Sequence, residues 1–352
     1  MPNLPDEIVS DILSRLPVVS LCRFRCVSKP WRSLISHPHF IRTHLANKKH
    51  ERVIFRYGDN LYSEDFESFQ FGDESVRAHF KLPTEEGQHF YKIYGSCDGL
   101  LLIGLWVRDD EWEYICYYLV NPSTREFRKL PPCPSAFNGN PWKCFDGYGF
   151  GYDSQSDDFK VVCISHHQES GDKEASLHDL RTSSWKKIEN SPCDHSGVGH
   201  VSGVLVRGAL HWIGRTSTSN VIVALDLADE KYRTIPTLDC MGDQLVLLGG
   251  CLCVSGKWYD HNHADFWVMK EYGVDESWTK FTVTYEGFND YWKHLSSSRA
   301  DRVLFQVHNK KFVLFDPQEG KSKELVVHGL PISFAAGTYV ESLVSPNRHW
   351  HC

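Results

Sequence analysis

Apolar residues recur at helical spacing from residue 4 to about residue 45, and from residue 51 on they fall in short runs separated by turn residues. In the first stretch Pro5-Asp6-Glu7 reads as the opening turn of a helix. Proline has no N–H to leave unpaired there, and the two acids suit the positive end of the helix dipole. Ile8, Ile12, Leu13 and Leu16 then recur on one face, and Pro17 stops the helix. Ser20 to Val27 reads as a second short helix. Ser28 is the expected N-cap of a third, Lys29 to Ser36, with Trp31, Leu34 and Ile35 apolar. Pro38 ends it and starts a short fourth through Phe40, Ile41 and Leu45. Helices this short carry more apolar face than they can bury among themselves, so the surplus goes to the following domain or to a partner protein.

In the second stretch, β-rich runs such as Leu100 to Ile103, Lys160 to Ile164, Val221 to Leu225, Asp265 to Met269 and Phe312 to Phe315 alternate with turns. One unit repeats: a strand, an Asx, a turn, and an aromatic six positions after the Asx. It runs from Asn121 to Phe127, from Asp179 to Trp185 and from Asp226 to Tyr232. A weaker copy runs from Tyr272 to Trp278, and a fifth from Asp316 to Ser322 keeps the turn without the aromatic. The starts lie 58, 47, 46 and 44 residues apart, the spacing of propeller blades. About 300 residues at about 45 each predict six or seven blades. The Asx should cap the turn, and Trp185, Tyr232 and Trp278 should be largely buried at equivalent places in successive blades. Glycines at Gly99, Gly208, Gly249 and Gly250 precede strand runs and are expected to allow close backbone approach near a crowded axis.

Composition sharpens this picture in three places. Three Met against eleven Trp is an aromatic-heavy balance that favours strands. No apolar run approaches 18 residues, and Met1 to Glu7 has neither a basic nor an apolar leader segment, so neither a membrane span nor a signal peptide is expected. The 12 Cys have no framework spacing, which predicts reduced thiols in cytoplasm or nucleus. Residues 1–50 carry eight Lys and Arg against three acids, +5, and the net −7 leaves −12 on the rest. A small basic head on an acidic body suggests two jobs, and so small a basic region argues against nucleic acid.

The helical stretch also resembles a known family. Leu4-Pro5-Asp6-Glu7-Ile8, Ile12-Leu13-Ser14-Arg15-Leu16-Pro17, Leu21, Arg23 to Lys29 and Trp31 to Ile35 resemble the F-box along its whole length. In that family the motif binds a Skp-type adaptor, which tethers the receptor to a cullin scaffold. The resemblance implies that Leu4, Pro5, Ile8, Leu13, Leu16, Pro17, Leu21, Cys26, Val27 and Trp31 divide between adaptor contact and internal packing. Further on, Gly95 to Leu101, Asn121 to Arg125, Gly149 to Asp153, Asp158 to Val162 and Trp267 to Val274 with Ser277-Trp278 look like the F-box-associated, kelch-like interaction domain of plant F-box proteins. The implied architecture is mainly β: an F-box at 1–48, a β-propeller at 49–345 and a short tail at 346–352.

The implied function is substrate recognition in a Skp–cullin–F-box ubiquitin ligase, with the propeller holding a target protein. The alternative is a propeller that reads a glycan or small ligand, which a deep aromatic-lined central pocket would favour. Chemistry of the chain's own is not expected, nor a cofactor or metal. There is no nucleophile elbow, phosphate-cradling loop or HExxH. Cys251 and Cys253 read as a structural pair, and His166-His167, His261/His263 and His349/His351 as loop or tail histidines. Target binding is expected from aromatics in turn-rich segments: Trp106, Trp112, Phe137, Trp142, Trp258, Tyr259, Tyr291 and Trp292. Acids at Asp59 to Glu86 and Asp109 to Glu113 are expected beside them, to steer encounter with a basic partner.

Overall fold

The computed structural model describes residues 5–47, 51–57, 60–65, 78–81, 88–108, 113–134, 144–167, 173–195, 202–217, 219–235, 237, 242, 244–257, 263–284, 292–295, 302–308, 310–325 and 335–347. Four helices lead: α1 (Asp6–Ser14), α2 (Val18–Phe24), α3 (Lys29–Ile35) and α4 (Pro38–Asn47). Local chemistry sets their ends. Pro5 and Pro17 stand in extended conformation immediately before α1 and α2. Ser28 Oγ accepts from the Trp31 N–H at 3.3 Å, which caps α3.

Among the described residues, twenty-four strands form six four-stranded antiparallel sheets. The first combines β1 (Glu51–Tyr57), β2 (Asn60–Asp65) and β3 (Ala78–Lys81) with the last strand of the chain, β24 (Ala335–Val340). The second is β4 (Gln88–Cys97), β5 (Leu100–Arg108), β6 (Glu113–Asn121) and β7 (Glu126–Lys129). The third is β8 (Cys144–Asp153), β9 (Asp158–His167), β10 (Lys173–Asp179) and β11 (Ser184–Ile188). The fourth is β12 (Val204–Val206), β13 (Ala209–Arg215), β14 (Asn220–Asp226) and β15 (Tyr232–Ile235). The fifth is β16 (Gln244–Leu248), β17 (Cys251–Lys257), β18 (His263–Met269) and β19 (Trp278–Thr284). The sixth is β20 (Trp292–Leu295), β21 (Val303–Val307), β22 (Lys311–Asp316) and β23 (Lys321–Leu325).

Edge strands of successive sheets touch: β24 with β4, β4 with β8, β8 with β12, β12 with β16, and β20 with β24. The sheets are therefore blades around an axis, and the molecule is a six-bladed propeller with β24, β4, β8, β12, β16 and β20 innermost. Six is the lower of the two predicted counts. The ring closes because β24 pairs with β1 from Glu51 opposite Val340 to Arg56 opposite Ala335. Burial follows position in the blade. The middle strands β14, β21 and β22 are buried almost throughout, because a blade covers each face, whereas the outer strands β7, β11 and β23 alternate or lie exposed.

The repeated Asx caps its turn in three copies; in the Asp179 copy the Arg181 N–H donates instead to Asp158 Oδ1 at 3.1 Å. Asn121 Oδ1 accepts from the N–H groups of Ser123 (2.8 Å) and Thr124 (3.2 Å), Asp226 Oδ1 from Ala228 and Asp229, and Asp316 Oδ1 from Gln318 and Glu319. The fourth residue after the Asx then takes a positive φ: Arg125 at 62°, Ser183 at 54°, Glu230 at 58° and Gly320 at 64°. The weaker copy differs. There Lys270 N–H reaches Ser277 O at 3.2 Å and a 3₁₀ turn spans Asp275–Ser277, so Lys270, not Tyr272, opens a longer turn.

Trp185, Tyr232 and Trp278 stand at the start of the outer strands, opposite His178, Leu225 and Met269. Their positions are equivalent, but only Trp278 is buried; Trp185 and Tyr232 are half-buried and Phe127 is exposed. An outer strand has only the rim of the next blade to cover it. The Trp185 indole uses that rim, donating to Pro131 O of the second blade at 2.9 Å.

The glycine expectation needs correction. Asp98-Gly99, Arg207-Gly208 and Gly249-Gly250 are two-residue hairpin turns with both φ positive. A Cβ would meet nothing within 4 Å at Gly208 or Gly250, and only Gly99 is crowded, its Cβ position lying 2.2 Å from Ser342 Oγ. Close approach between blades occurs at Gly149 instead, where a Cβ would come within 2.7 Å of both Leu210 and Trp212 of the fourth blade.

Candidate functional site

The propeller axis has two ends, and the helices lie at one of them. Leu13, Val18, Leu21, Ile35, Phe40 and Ile41 share one buried cluster with Leu100, Leu102, Leu119, Phe150, Leu343 and Val344 of the propeller. Arg42 pairs with Asp157 in the β8–β9 turn, and the His44 ring nitrogen Nε2 lies 2.9 Å from Leu16 O. The helices thus sit on the β4–β5, β6–β7 and β8–β9 turn side of the second and third blades.

What the helices do not bury is apolar. Ile8 is 46% exposed, Ile12 49%, Val19 42% and Val27 64%. Only Phe127 and Val274 match them elsewhere among the described residues. The residues expected at an adaptor contact therefore divide. Pro5, Ile8, Pro17, Cys26 and Val27 face outward. Leu13 and Leu21 are buried in the core, and Leu16 and Trp31 pack partly against it, with Trp31 edge-on to Phe24 at 5.4 Å between ring centroids. Leu4 lies outside the described residues. Ile12 and Val19 were not among the expected contacts. The single apolar face expected for Ile8, Ile12, Leu13 and Leu16 also splits: Ile8 and Ile12, four residues apart, point out, while Leu13 and Leu16 point in.

The opposite end carries the strand ends that flank residues 109–112 and 258–262, the β5–β6 and β17–β18 connections. Of the aromatics expected to meet a target, Trp106 sits on β5, its backbone opposite His89 and Ile115, two residues before the strand ends at Arg108. Trp112, Phe137, Trp142, Trp258, Tyr259 and Tyr291 lie outside the described residues, as do Asp109 to Glu111 and most of the stretch from Asp59 to Glu86. Trp292 is corrected. It is 1% exposed, with its ring centroid 5.6 Å from Phe305 and 6.0 Å from Phe266, and it packs the sixth blade against the fifth. An aromatic that opens an innermost strand has neighbouring blades on both sides, so it belongs to the core.

Among the described residues no three His, Cys, Asp or Glu side chains converge as a metal site. Cys251 and Cys253 pack against the same apolar cluster. One Ser–His pair exists that no motif announced. Ser191 Oγ and His195 Nε2 are 2.7 Å apart, and His195 Nδ1 donates to Ile213 O at 2.9 Å. Both side chains are under 8% exposed, so the pair pins residues 191–195 to β13 rather than meeting solvent.

Comparison with known proteins agrees with both halves. Residues 52–345 match the family described as the F-box associated beta propeller domain, and residues 1–43 match the F-box domain. The chain belongs to the F-box proteins with an associated β-propeller. Among its relatives in Arabidopsis thaliana, F-box protein CPR1 is 32% identical across 98% of this chain and 89% of the relative. F-box/kelch-repeat protein At3g23880 is 30% identical across 98% of this chain and 96% of the relative. The propeller fold recurs in TolB from Acinetobacter baumannii at 10% identity, with a TM-score of 0.50 over 85% of this chain and 70% of that one. A likeness at that identity concerns the fold alone. In this F-box protein, then, the exposed apolar side chains of residues 8–27 lie within the F-box itself.

Proposed function

We propose that this F-box protein is the substrate receptor of a Skp–cullin–F-box ubiquitin ligase, with the outward face of α1, α2 and residues 25–27 as its adaptor contact. One observation carries the reading. The F-box buries Leu13, Leu21, Ile35 and Phe40 against the propeller, yet leaves Ile8, Ile12, Val19 and Val27 in water, although these are the residues that gain most from a partner. The receptor's contribution is proximity: it holds a target near the charged ubiquitin carrier and raises effective concentration.

The target would bind at the end of the axis away from the F-box. The reading of a glycan is weaker. Among the described residues around the central cavity, Tyr94 and Tyr339 are the only Phe, Tyr or Trp, too few to stack sugar rings.

The test is co-purification with a Skp-type adaptor. Burying one such side chain is worth about 1.5–3 kcal/mol, so Ile8→Asp with Val27→Asp should weaken adaptor binding about a hundredfold or more. Because both residues are exposed, the unfolding temperature should not fall. Undiminished co-purification would overturn the assignment of this face.

A further inference from the structure

The innermost strands surround a central cavity of about 320 Å³. Lys293, the second residue of β20, lines it. Its Nζ donates to Ala336 O of the neighbouring β24 at 3.3 Å. That is one long hydrogen bond for three N–H groups, and among the described residues no carboxylate pairs with it. A second ammonium group stands across β24. Lys92 lies on β4, with its Nζ 5.3 Å from the centroid of Tyr94, another residue of the cavity wall. Burial brings the Lys293 pKa down to about 8. Burial, and after it the charge of Lys293, brings Lys92 down to about 7.

The carboxylates of the cavity wall belong to its other end. Glu51 is opposite Val340, four residues along β24 from Ala336. At about 3.3 Å per residue that is roughly 13 Å. Asp98 lies in the turn beyond Cys97, whereas β4 is level with Gly337 at Ile93. Beside Lys293, His294 packs between Phe266 and Phe305 and is held neutral by burial, so it adds no charge. The channel is thus polarised. Its cationic end is the one away from the F-box.

We propose that this cationic end of the channel is a binding site for a small oxyanion, a phosphate or carboxylate group, seated on Lys293 with Lys92 adding longer-range attraction. A buried ammonium group is costly unless paired, and the low dielectric that makes it costly also strengthens a pair once formed. The cavity is at the small end of the range that takes small molecules, so one phosphate- or carboxylate-bearing group fits and a folded partner does not. The oxyanion would be either a free small acid or a phosphorylated or acidic side chain of a bound target. The site stands on the channel geometry alone and does not rest on the receptor reading.

The experiment is calorimetric titration and thermal unfolding of the full chain with inorganic phosphate, against chloride at matched ionic strength. Phosphate should bind and raise the unfolding temperature. Lys293→Met should weaken binding about tenfold or more, Lys92→Met less, and Lys293→Arg should retain it. In the unmutated protein, phosphate should also slow amide exchange on β20 and β24, a readout that needs no variant. Absence of binding beyond chloride, or equal binding by Lys293→Met, overturns the proposal. A phosphoserine peptide provides the second arm: tighter binding than free phosphate identifies a target-borne group, and equal or weaker binding a free acid. Adaptor co-purification by Lys293→Met should be unchanged, so failure of this site leaves the F-box assignment standing.

Discussion

Asn121 does two jobs with one side chain. Its Oδ1 caps the β6–β7 turn, as Asp226 and Asp316 do in their blades. Its Nδ2 donates to Ser342 O at 3.1 Å and to Val344 O at 2.6 Å, which straps the chain after β24 onto the second blade. Of the two Asx side chains, only the amide can cap and donate at once. Asn121→Asp should keep the turn but set a carboxylate against two carbonyls, at a cost of about 1–3 kcal/mol or more. Asp226→Asn, whose side chain serves the turn, should change little. Unfolding temperatures of the two variants check this, and equal losses would refute it. Lys160 is a second such residue. Its Nζ lies 3.0 Å from Asp153, both side chains no more than 5% exposed, and it also donates to Leu227 O in the next blade. Burial alone would raise the Asp153 pKa, but hydrogen bonds from Ser156 and Lys160 outweigh it and hold the group below its ordinary value. Lys160→Met strands that carboxylate, and urea denaturation should show a loss of about 3–5 kcal/mol. The sequence displays the Asx repeat plainly. It does not display that one copy is tied to a segment 221 residues away.

At the scale of elements, short-range chemistry was legible and long-range choice was not. Pro5 and Ser28 marked the starts of α1 and α3, and the spacing of the Asx turns announced blades, but Pro17, read as the stop of the first helix, also opens α2 at Val18, two residues before the expected Ser20. A helical repeat tells how wide an apolar stripe is, not which half of it meets the propeller, and so Ile8 and Ile12 were grouped with Leu13 and Leu16. Trp292 was taken for a loop residue because it follows Asn289-Asp290-Tyr291, turn-like composition that says nothing of the innermost strand beginning there. The pairing of β24 with β1 has no local signal either, since its residues lie at opposite ends of the propeller sequence. That closure makes a strong claim about cooperativity. Deleting residues 335–347 removes a strand from the first blade and the acceptors of Asn121, and it exposes the edge of β1. The truncated chain should lose its cooperative unfolding transition in scanning calorimetry. Retention of a sharp transition would show that the ring holds without its closing strand.

For the whole molecule, one apolar cluster running from the F-box helices into the second and third blades fixes the exposed apolar face of the F-box relative to the far end of the axis, which suits the receptor role proposed above. The same compact packing makes the protein sensitive to acid. His178, His211 and His294 are no more than 1% exposed. Burial first, and the charge of Arg128 second, lowers the His178 pKa to about 4. Burial lowers His211 to about 4, against the opposing pull of its bond to Val204 O, and lowers His294 to about 3. Their ordinary value, and so that of the unfolded chain, is about 6.5. Below it the unfolded chain takes up protons that the folded chain refuses until pH 4 or lower. The stability held at pH 7.5 must therefore fall as pH drops from about 6.5 towards 4, and it does not return on further acidification. By pH 5 each histidine accounts for about 2 kcal/mol, and the three together for an appreciable part of a domain's 5–15 kcal/mol. Urea midpoints at pH 7.5, 6 and 5 should fall steeply over that series. His294 offers a clean control, because among the described residues neither ring nitrogen has a hydrogen-bond partner, and burial lowers its pKa furthest of the three. His294→Leu should leave stability at pH 7.5 unchanged or raised, and should remove about a third of the pH slope. A flat pH profile, or a slope that His294→Leu does not reduce, would mean that these histidines are protonated in the folded protein.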